Sequence, residues 1–468
     1  MLEQKTLRQL ATILIQGDVT SAALVTYYLE RIQTYDQHFH SILLVNQEAK
    51  ALAAQLDQER IKQGRRSVLH GIPFIVKDNI DVKGMPTTGG SPLLKNLIAK
   101  NDAWIIQQLK KAGAIVLAKA NLSEFAASYG RLGYISLGGL TRNPFHDDYN
   151  ASGSSSGSAV AVALDFAPFS LGTDTSGSVR GPANNAGLVG LRPTHGSFEM
   201  TGVMPSALSF DTLGFFTRTT DDLSLLMSVI KEEKLAYQKN VAKKTFTFIT
   251  NYSGDNEEVD DTIFGAMQKI REKGHDVGSY TLPKGEENVW NSLIDKHDAE
   301  SKRDLESYLN EREGTHPKTI NHLIEQYEQQ GIPINPARLQ AFQRVVKMES
   351  FRNTSQYEEI ILKQQQIQER LNEQFEQGVD AFLFPTMLTP ATLTFDHKHA
   401  NQRKEKRDPF SASYLGSFIG YPEITIPVGF NKAGLPIGLS FLGKAHSEGE
   451  LVSYASIVEY TKRFLPKQ

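Results

Sequence analysis

Short apolar runs alternate along this chain with longer amphipathic ones. Ile72, Phe74, Ile75 and Val76 form a run typical of a buried strand, which ends at Lys77 before Asp78-Asn79. Residues 102–112 carry Ile105, Leu109 and Ala112 at helical spacing, with Gly113 as a candidate C-cap. Ala114-Ile115-Val116-Leu117-Ala118 then reads as a second buried strand. Upstream, Leu24, Tyr28 and Ile32 share one face of a helix over 19–33 that Thr20 or Ser21 can cap, and 47–63 is a further outer helix. Phe169-Ser170-Leu171-Gly172 supplies another short strand, preceded by a small-residue helix from Ala159 to Leu164. Strands alternating with helices in this way predict an α/β fold: one domain with a central mixed, twisted sheet covered by helices on both faces.

The texture changes over 226–378, where Glu257-Glu258 and Glu286-Glu287 punctuate amphipathic helices. Its last helix aligns Tyr357, Ile360, Ile367, Leu371 and Phe375, a stripe with too few clean heptads for a coiled coil and therefore core. Apolar strands return at Ala381-Phe382-Leu383-Phe384, Ile424-Thr425-Ile426 and Ile437-Gly438-Leu439. The pattern predicts one domain over 1–468: outer helices at 1–68, a catalytic core at 69–225, a mainly helical substrate-side insertion at 226–378, and C-terminal strands at 379–468 that complete the core.

Composition narrows the function classes. The net charge is −3 with no long basic run, so no nucleic-acid partner is expected. The chain has no cysteine, which excludes disulfides, thiolate metal sites and a cysteine nucleophile. With no apolar run near the ~18 residues of a membrane span and no charged-then-apolar leader, a cytoplasmic protein without membrane attachment is expected. The histidines are scattered. Asp396-His397-Lys398-His399 and His146-Asp147-Asp148 are local clusters without convincing metal-ligand spacing, so no metal is expected.

The densest chemistry lies in two serine motifs: Ala151-Ser152-Gly153-Ser154-Ser155-Ser156-Gly157-Ser158-Ala159, and Gly172-Thr173-Asp174-Thr175-Ser176-Gly177-Ser178-Val179-Arg180. Small residues let backbone N–H groups approach a ligand while hydroxyls point into the same space. A hydroxyl needs a positioned base to act as nucleophile at neutral pH. Three designs compete. Gly153-Ser154-Ser155-Ser156-Gly157 formally matches a nucleophile elbow, but a loop at Arg142–Asn150 stands where that motif needs a strand. A glycine-serine anion cradle lacks the Lys-Ser or Lys-Thr pair of a phosphate-binding loop. The third design makes Lys77 the base and two serines the relay and nucleophile, which requires a lysine held neutral by burial.

Gly71-Ile72-Pro73-Phe74-Ile75-Val76-Lys77-Asp78-Asn79, the hairpin at 152–159, and the run from Gly172 to Ala183 together resemble the amidase signature family. Further matching stretches are Lys119–Phe125, Gly187–Thr194, Phe210–Gly214 and Gly434–Leu439, so the likeness spans the chain except roughly 230–378. The resemblance implies that Ser178 is the acyl-accepting nucleophile, Ser154 the relay in a cis peptide bond, and Lys77 the terminal base. It also implies an oxyanion hole from the amides of Thr175, Ser176, Gly177 and Ser178, with Ser155, Asp174 and Arg180 in support. An Asp174–Arg180 ion pair is expected to brace the loop. Ser152, Ser156 and Ser176 stand where the family has glycine, and each costs ~1–2 kcal/mol if its backbone needs a positive φ.

The implied reaction is hydrolysis of a carboxylic amide to acid and ammonia or amine, without cofactor, on a small-molecule amide, by a monomer or homodimer. The alternative is the glutaminase subunit of a tRNA-dependent amidotransferase. Such subunits carry an Arg-rich, Gly-Tyr-Tyr-containing helix that the residues around Arg352 do not match. Arg352 and Asp408 are the basic and acidic candidates for contacting an amino-acid substrate. An inactive paralogue serving as a binding scaffold is disfavoured by the presence of Lys77, Ser154 and Ser178.

Overall fold

The computed structural model describes residues 2–127, 130–232, 237–238, 241–400 and 405–460. Its strands are β1 (Ile42–Val45), β2 (Pro73–Lys77), β3 (Ile115–Ala120), β4 (Tyr134–Ile135), β5 (Gly139–Leu140), β6 (Phe169–Asp174), β7 (Val189–Arg192), β8 (Thr212–Thr217), β9 (Thr245–Ile249), β10 (Asp276–Tyr280), β11 (Ala381–Pro385), β12 (Glu423–Phe430) and β13 (Pro436–Leu442). Among the described residues β4 and β5 form a small hairpin, and the other eleven make one sheet in the order β1-β3-β2-β6-β8-β7-β12-β13-β11-β9-β10. The sheet is mixed: β2 runs parallel to β3 and β6, whereas β6 and β8 are antiparallel. This is the expected α/β architecture, and no described helix is long and apolar enough to cross a membrane.

β2, β3, β6 and β7 are buried along their whole length, and β2 and β3 accordingly stand in the sequence as nearly continuous apolar runs. Phe74 of β2 stacks on Phe169 of β6 with ring centroids 5.1 Å apart. Because β2 and β6 are parallel, Lys77 and Asp174 both lie at carboxyl ends of neighbouring strands. Loops leaving such ends are where open α/β sheets place their ligands.

The segment 226–378 supplies helices, as its pattern suggested, and also β9 and β10, which extend the sheet beyond β11. β10 shows why it was not legible: no residue of Asp276–Tyr280 is buried, and a polar edge strand carries no apolar run. Two glycines set how tightly the serine hairpin seats. A Cβ on Gly157 would fall 2.3 Å from the Ser41 carbonyl oxygen, and one on Gly172 would fall 2.7 Å from Ser155 Oγ. Only hydrogen fits at either position, so the helix Ser156–Ala163 comes close enough to β6 to deliver Ser154 to the end of β2.

Candidate active site

Lys77 ends β2 and is fully buried. Its Nζ lies 2.7 Å from Ser154 Oγ, 2.8 Å from Thr173 Oγ1 and 3.3 Å from the Thr173 carbonyl oxygen. Burial pulls the amine down from its ordinary 10.5 to about 7, against the opposing pull of Asp174 and Asp211. In the neutral amine Nζ has two N–H groups and one lone pair. The Thr173 carbonyl can only accept, so it takes one N–H; of the two hydroxyls, one accepts the other N–H and one donates to the lone pair. Asn79 Nδ2 donates to Thr173 Oγ1 at 3.1 Å and to the Met204 carbonyl at 3.1 Å, which fixes the threonine hydroxyl from behind.

Ser154 follows Gly153 through a cis peptide bond. Ser155 N–H donates to the Ser178 carbonyl at 3.2 Å, and Ser155 Oγ donates to the Thr173 carbonyl at 3.1 Å, tying the two serine motifs and β6 together. Of the three serines at glycine positions of the family pattern, only Ser152 has a positive φ, 64°. The strain considered from sequence therefore applies at that one residue.

Asp174 is braced as expected by Arg180, whose Nη2 lies 2.9 Å from Oδ1, but the cluster is larger than one pair. Arg192 Nη1 also reaches Asp174 Oδ1 at 3.1 Å, and Arg180 Nη1 pairs with Glu423. All four side chains are buried, two cations with two carboxylates, so the cluster balances its own charge. Burial works to raise the Asp174 carboxyl, yet Arg180 and Arg192 hold it well below the usual carboxylate range.

The same carboxylate revises the expected oxyanion hole. Gly177 N–H donates to Asp174 Oδ1 at 2.9 Å, and Val179 N–H to Oδ2 at 2.9 Å. The Gly177 amide is thus committed to bracing the loop in this conformation and is not free to meet a substrate oxygen. The N–H groups of Thr175, Ser176 and Ser178 take no protein acceptor among the described residues.

Thr175, Ser176 and Ser178 line a cavity of about 220 Å³. Its apolar wall includes Leu132, Trp290, Leu293, Ile294, Met387 and Phe410; its other polar groups include Asn150, Ser206, His297 and Asp408. Ser178 is 4% exposed, whereas Lys77 and Ser154 are sealed behind it and do not line the cavity. Of the two candidates for an amino-acid ligand, Asp408 reaches the cavity and Arg352, exposed at 349–353, does not. No Lys or Arg lines the cavity among the described residues.

The Amidase family model matches residues 23–452. The chain belongs to the amidase family. Its relatives include a glutamyl-tRNA(Gln) amidotransferase subunit of Acinetobacter baumannii, 30% identical over 97% of this chain and 95% of the relative. A putative amidase of Schizosaccharomyces pombe is likewise 30% identical, over 98% of this chain and 85% of the relative. Among solved structures, peptide amidase in complex with the competitive inhibitor chymostatin matches at TM-score 0.87 with 26% identity, covering 100% of this chain and 99% of that one. Enzymes of the family hydrolyse C–N bonds.

Sequence reasoning singled out Lys77, Ser154, Ser155, Ser178, Asp174 and Arg180, and the structure gathers all of them around the ends of β2 and β6. It missed Thr173, Asn79, Arg192, Glu423 and Asp211. Thr173 had a usable signal: alternation along β6 sends neighbouring side chains to opposite faces, so with Asp174 facing Arg180, Thr173 faces Lys77.

Proposed function

We propose that the protein is an amidase that cleaves a primary carboxylic amide through an acyl-enzyme on Ser178. The observation that carries this reading is the sealed Lys77, drawn to about 7 and 2.7 Å from Ser154 Oγ, behind a serine that opens onto a cavity. Lys77 accepts the Ser154 proton as Ser154 accepts that of Ser178, and Ser178 Oγ attacks the carbonyl carbon. The developing oxyanion meets the amides of Thr175, Ser176 and Ser178, each donor commonly worth ~3–4 kcal/mol. The tetrahedral centre collapses with cleavage of the C–N bond. The leaving nitrogen takes the proton back through Ser154 and departs as ammonia. Water then attacks the acyl-enzyme with the same relay, releasing the acid and restoring Ser178.

Two features bear on the substrate. The leaving nitrogen must approach Ser154, where the protein is closed, which favours –NH2 over a bulky amine. The cavity offers Asp408 and no described cation, so it favours a neutral or cationic acyl group over one bearing a carboxylate. The glutaminase of a tRNA-dependent amidotransferase remains the second reading, because amidotransferase relatives align over nearly the whole chain. Glutamine brings an α-carboxylate, for which the cavity has no Lys or Arg partner among its described lining residues. The purified chain alone, without tRNA, ATP or a partner protein, is expected to release ammonia from neutral primary amides. Release confined to glutamine and dependent on a tRNA-bound partner would overturn the reading.

A further inference from the structure

The buried carboxylates around the relay, Asp78, Asp174, Glu423 and Asp211, differ in one respect. Asp174 and Glu423 are matched by Arg180 and Arg192, and Asp78, next to Lys77 in the chain, pairs with the buried Lys119 at 3.0 Å. Asp211 is 3% exposed and pairs with no Lys or Arg among the described residues. Its donors are neutral: the Thr175 hydroxyl on Oδ1 at 2.5 Å, and the Ser206 and Ala207 N–H groups on Oδ2 at 2.7 and 3.1 Å. The cations nearby are turned to its neighbour. Arg192 Nη2 donates to the Phe210 carbonyl at 2.9 Å, and Lys296 Nζ lies 4.8 Å from the centre of the Phe210 ring. His297, on the helix Trp290–Asn310, faces Asp211 from behind Ser206, whose Oγ is 2.8 Å from its Nε2. Burial raises the Asp211 carboxyl to about 6 against the bonds from Thr175, Ser206 and Ala207, so it is ionised at neutral pH.

The chain places this carboxylate beside the base. Thr173 meets Lys77 Nζ through its carbonyl and its hydroxyl, and Thr175, two residues on, gives its hydroxyl hydrogen to Asp211. Asp174 between them turns the other way, to Arg180. β8 runs antiparallel to β6 with Thr212 opposite Asp174, so Asp211 enters that strand alongside Thr175. Together with Asp174, Asp211 pulls on Lys77 against the effect of burial. The Asp174 charge is already answered by two guanidinium groups, whereas the Asp211 charge is not.

Proton transfer creates charges that the resting site lacks. As the proton of Ser178 moves to Ser154 and that of Ser154 moves to Lys77, an oxyanion forms on the substrate and an ammonium forms at Nζ. The oxyanion meets backbone N–H groups. The ammonium gives its three N–H groups to neutral oxygens, those of Ser154 Oγ, Thr173 Oγ1 and the Thr173 carbonyl. A carboxylate kept in the interior without a cation is a cost in the resting protein. Its stabilising effect appears when the proton arrives, which is when stabilisation speeds the step.

Resting on the amidase reading above, we infer that Asp211 is the counter-charge of the lysinium, a positioning residue that acts on the transferred proton through Lys77 while its hydrogen bonds hold Thr175 in the oxyanion loop.

The inference requires reciprocal shifts, since two coupled groups change each other's proton affinity equally. In protein labelled with carbon-13 in lysine and aspartate, Lys77 Cε and Asp211 Cγ are followed by NMR against pH, with Lys77→Met and Asp211→Asn assigning the two signals. Asp211→Asn keeps the shape and removes the charge, and is expected to lower the Lys77 midpoint by about one pH unit. Lys77→Met should raise the Asp211 midpoint by a similar amount, a measurement that decides even if the Asp211→Asn chain does not fold. A Lys77 midpoint unmoved or raised by Asp211→Asn, or an Asp211 midpoint unmoved or lowered by Lys77→Met, would overturn the inference. A residue that merely held the oxyanion loop would slow the reaction at every pH and move neither midpoint. The functional readout is the rate at which a fluorophosphonate labels Ser178, whose acid limb should move to lower pH with the Lys77 midpoint. Midpoints that shift as expected while the labelling limb stays in place would leave the charge pair standing and sink Lys77 as the base, and with it the amidase reading.

Discussion

Behind Ser178, Lys77, Ser154 and Thr173 are buried, and Lys77 is hydrogen-bonded to both others, on the neighbouring strands β2 and β6 and the loop that leads into the helix Ser156–Ala163. In front of it, the cavity is walled by residues drawn from separate stretches, among them Leu132, Ser206, Trp290, His297, Met387 and Asp408. In the proposed reaction the first region positions a proton, and its close packing tolerates almost no volume change. The second is an apolar wall with a few polar groups, the composition by which sites select ligands. Under the proposed function, the difference teaches that reaction type and substrate choice are encoded in physically separable parts of this molecule.

The sharpest way to break that separation is to remove the nucleophile. Ser178→Ala is expected to lower kcat by about 10⁴-fold or more while ligands still bind the cavity. A fluorophosphonate probe read by intact mass should label Ser178 alone, and activity surviving in the variant would end the assignment. Ser154→Ala should lower kcat strongly with KM little changed, because a relay acts in the transition state.

Lys77 gives the comparison a pH axis. With its folded value near 7, the amine is a base above that pH and protonated below it, so activity should fall as pH falls through about 7 and persist on the alkaline side. Lys77→Ala should lose that acid limb along with most activity; an unchanged profile would exclude the lysine. The same shift has a stability sign. The unfolded lysine binds its proton up to about 10.5, so between about 7 and 10.5 the unfolded state holds more protons and stability rises with pH. At pH 8 the buried amine costs roughly 3 kcal/mol as an upper figure. Lys77→Met should therefore hold or gain stability in denaturant titration while losing turnover, the signature of a residue kept for chemistry.

Arg180 tests the bracing of the relay region. Arg180→Met leaves Asp174 and Glu423 buried with only Arg192 to face them, and a loss of about 3–5 kcal/mol is expected in denaturant unfolding. On the cavity side the effects are smaller. Asp408→Asn should reduce the preference for cationic over neutral acyl groups by roughly fivefold or less, without moving the acid limb. The smallest change is Ser152→Gly, which relieves a positive φ and should raise the melting temperature by an amount matching about 1 kcal/mol or less.

This division also governs what could be read from the sequence. Lys77 was visible because a buried strand is an apolar run, and a lysine ending one is conspicuous. Ser154 and Ser178 were visible because their motifs are local. Glu423 pairs with Arg180 across 243 residues and nothing near either residue announces it. The Gly177 amide was misjudged for a related reason: a glycine before a nucleophile suggests a free donor, and only the position of the Asp174 carboxylate reveals that it is taken. Ser206 and His297, 91 residues apart, meet only because a helix outside the resembling stretches packs over the loop before β8.

Asp211 spends one oxygen on Thr175 and the other on Ser206, so the separation of those two residues is set by the width of a single carboxylate. A gauge made of covalent bonds does not stretch. Asp211→Ala is therefore expected to disturb Thr175 and Ser206, two residues that line the cavity, in a single step.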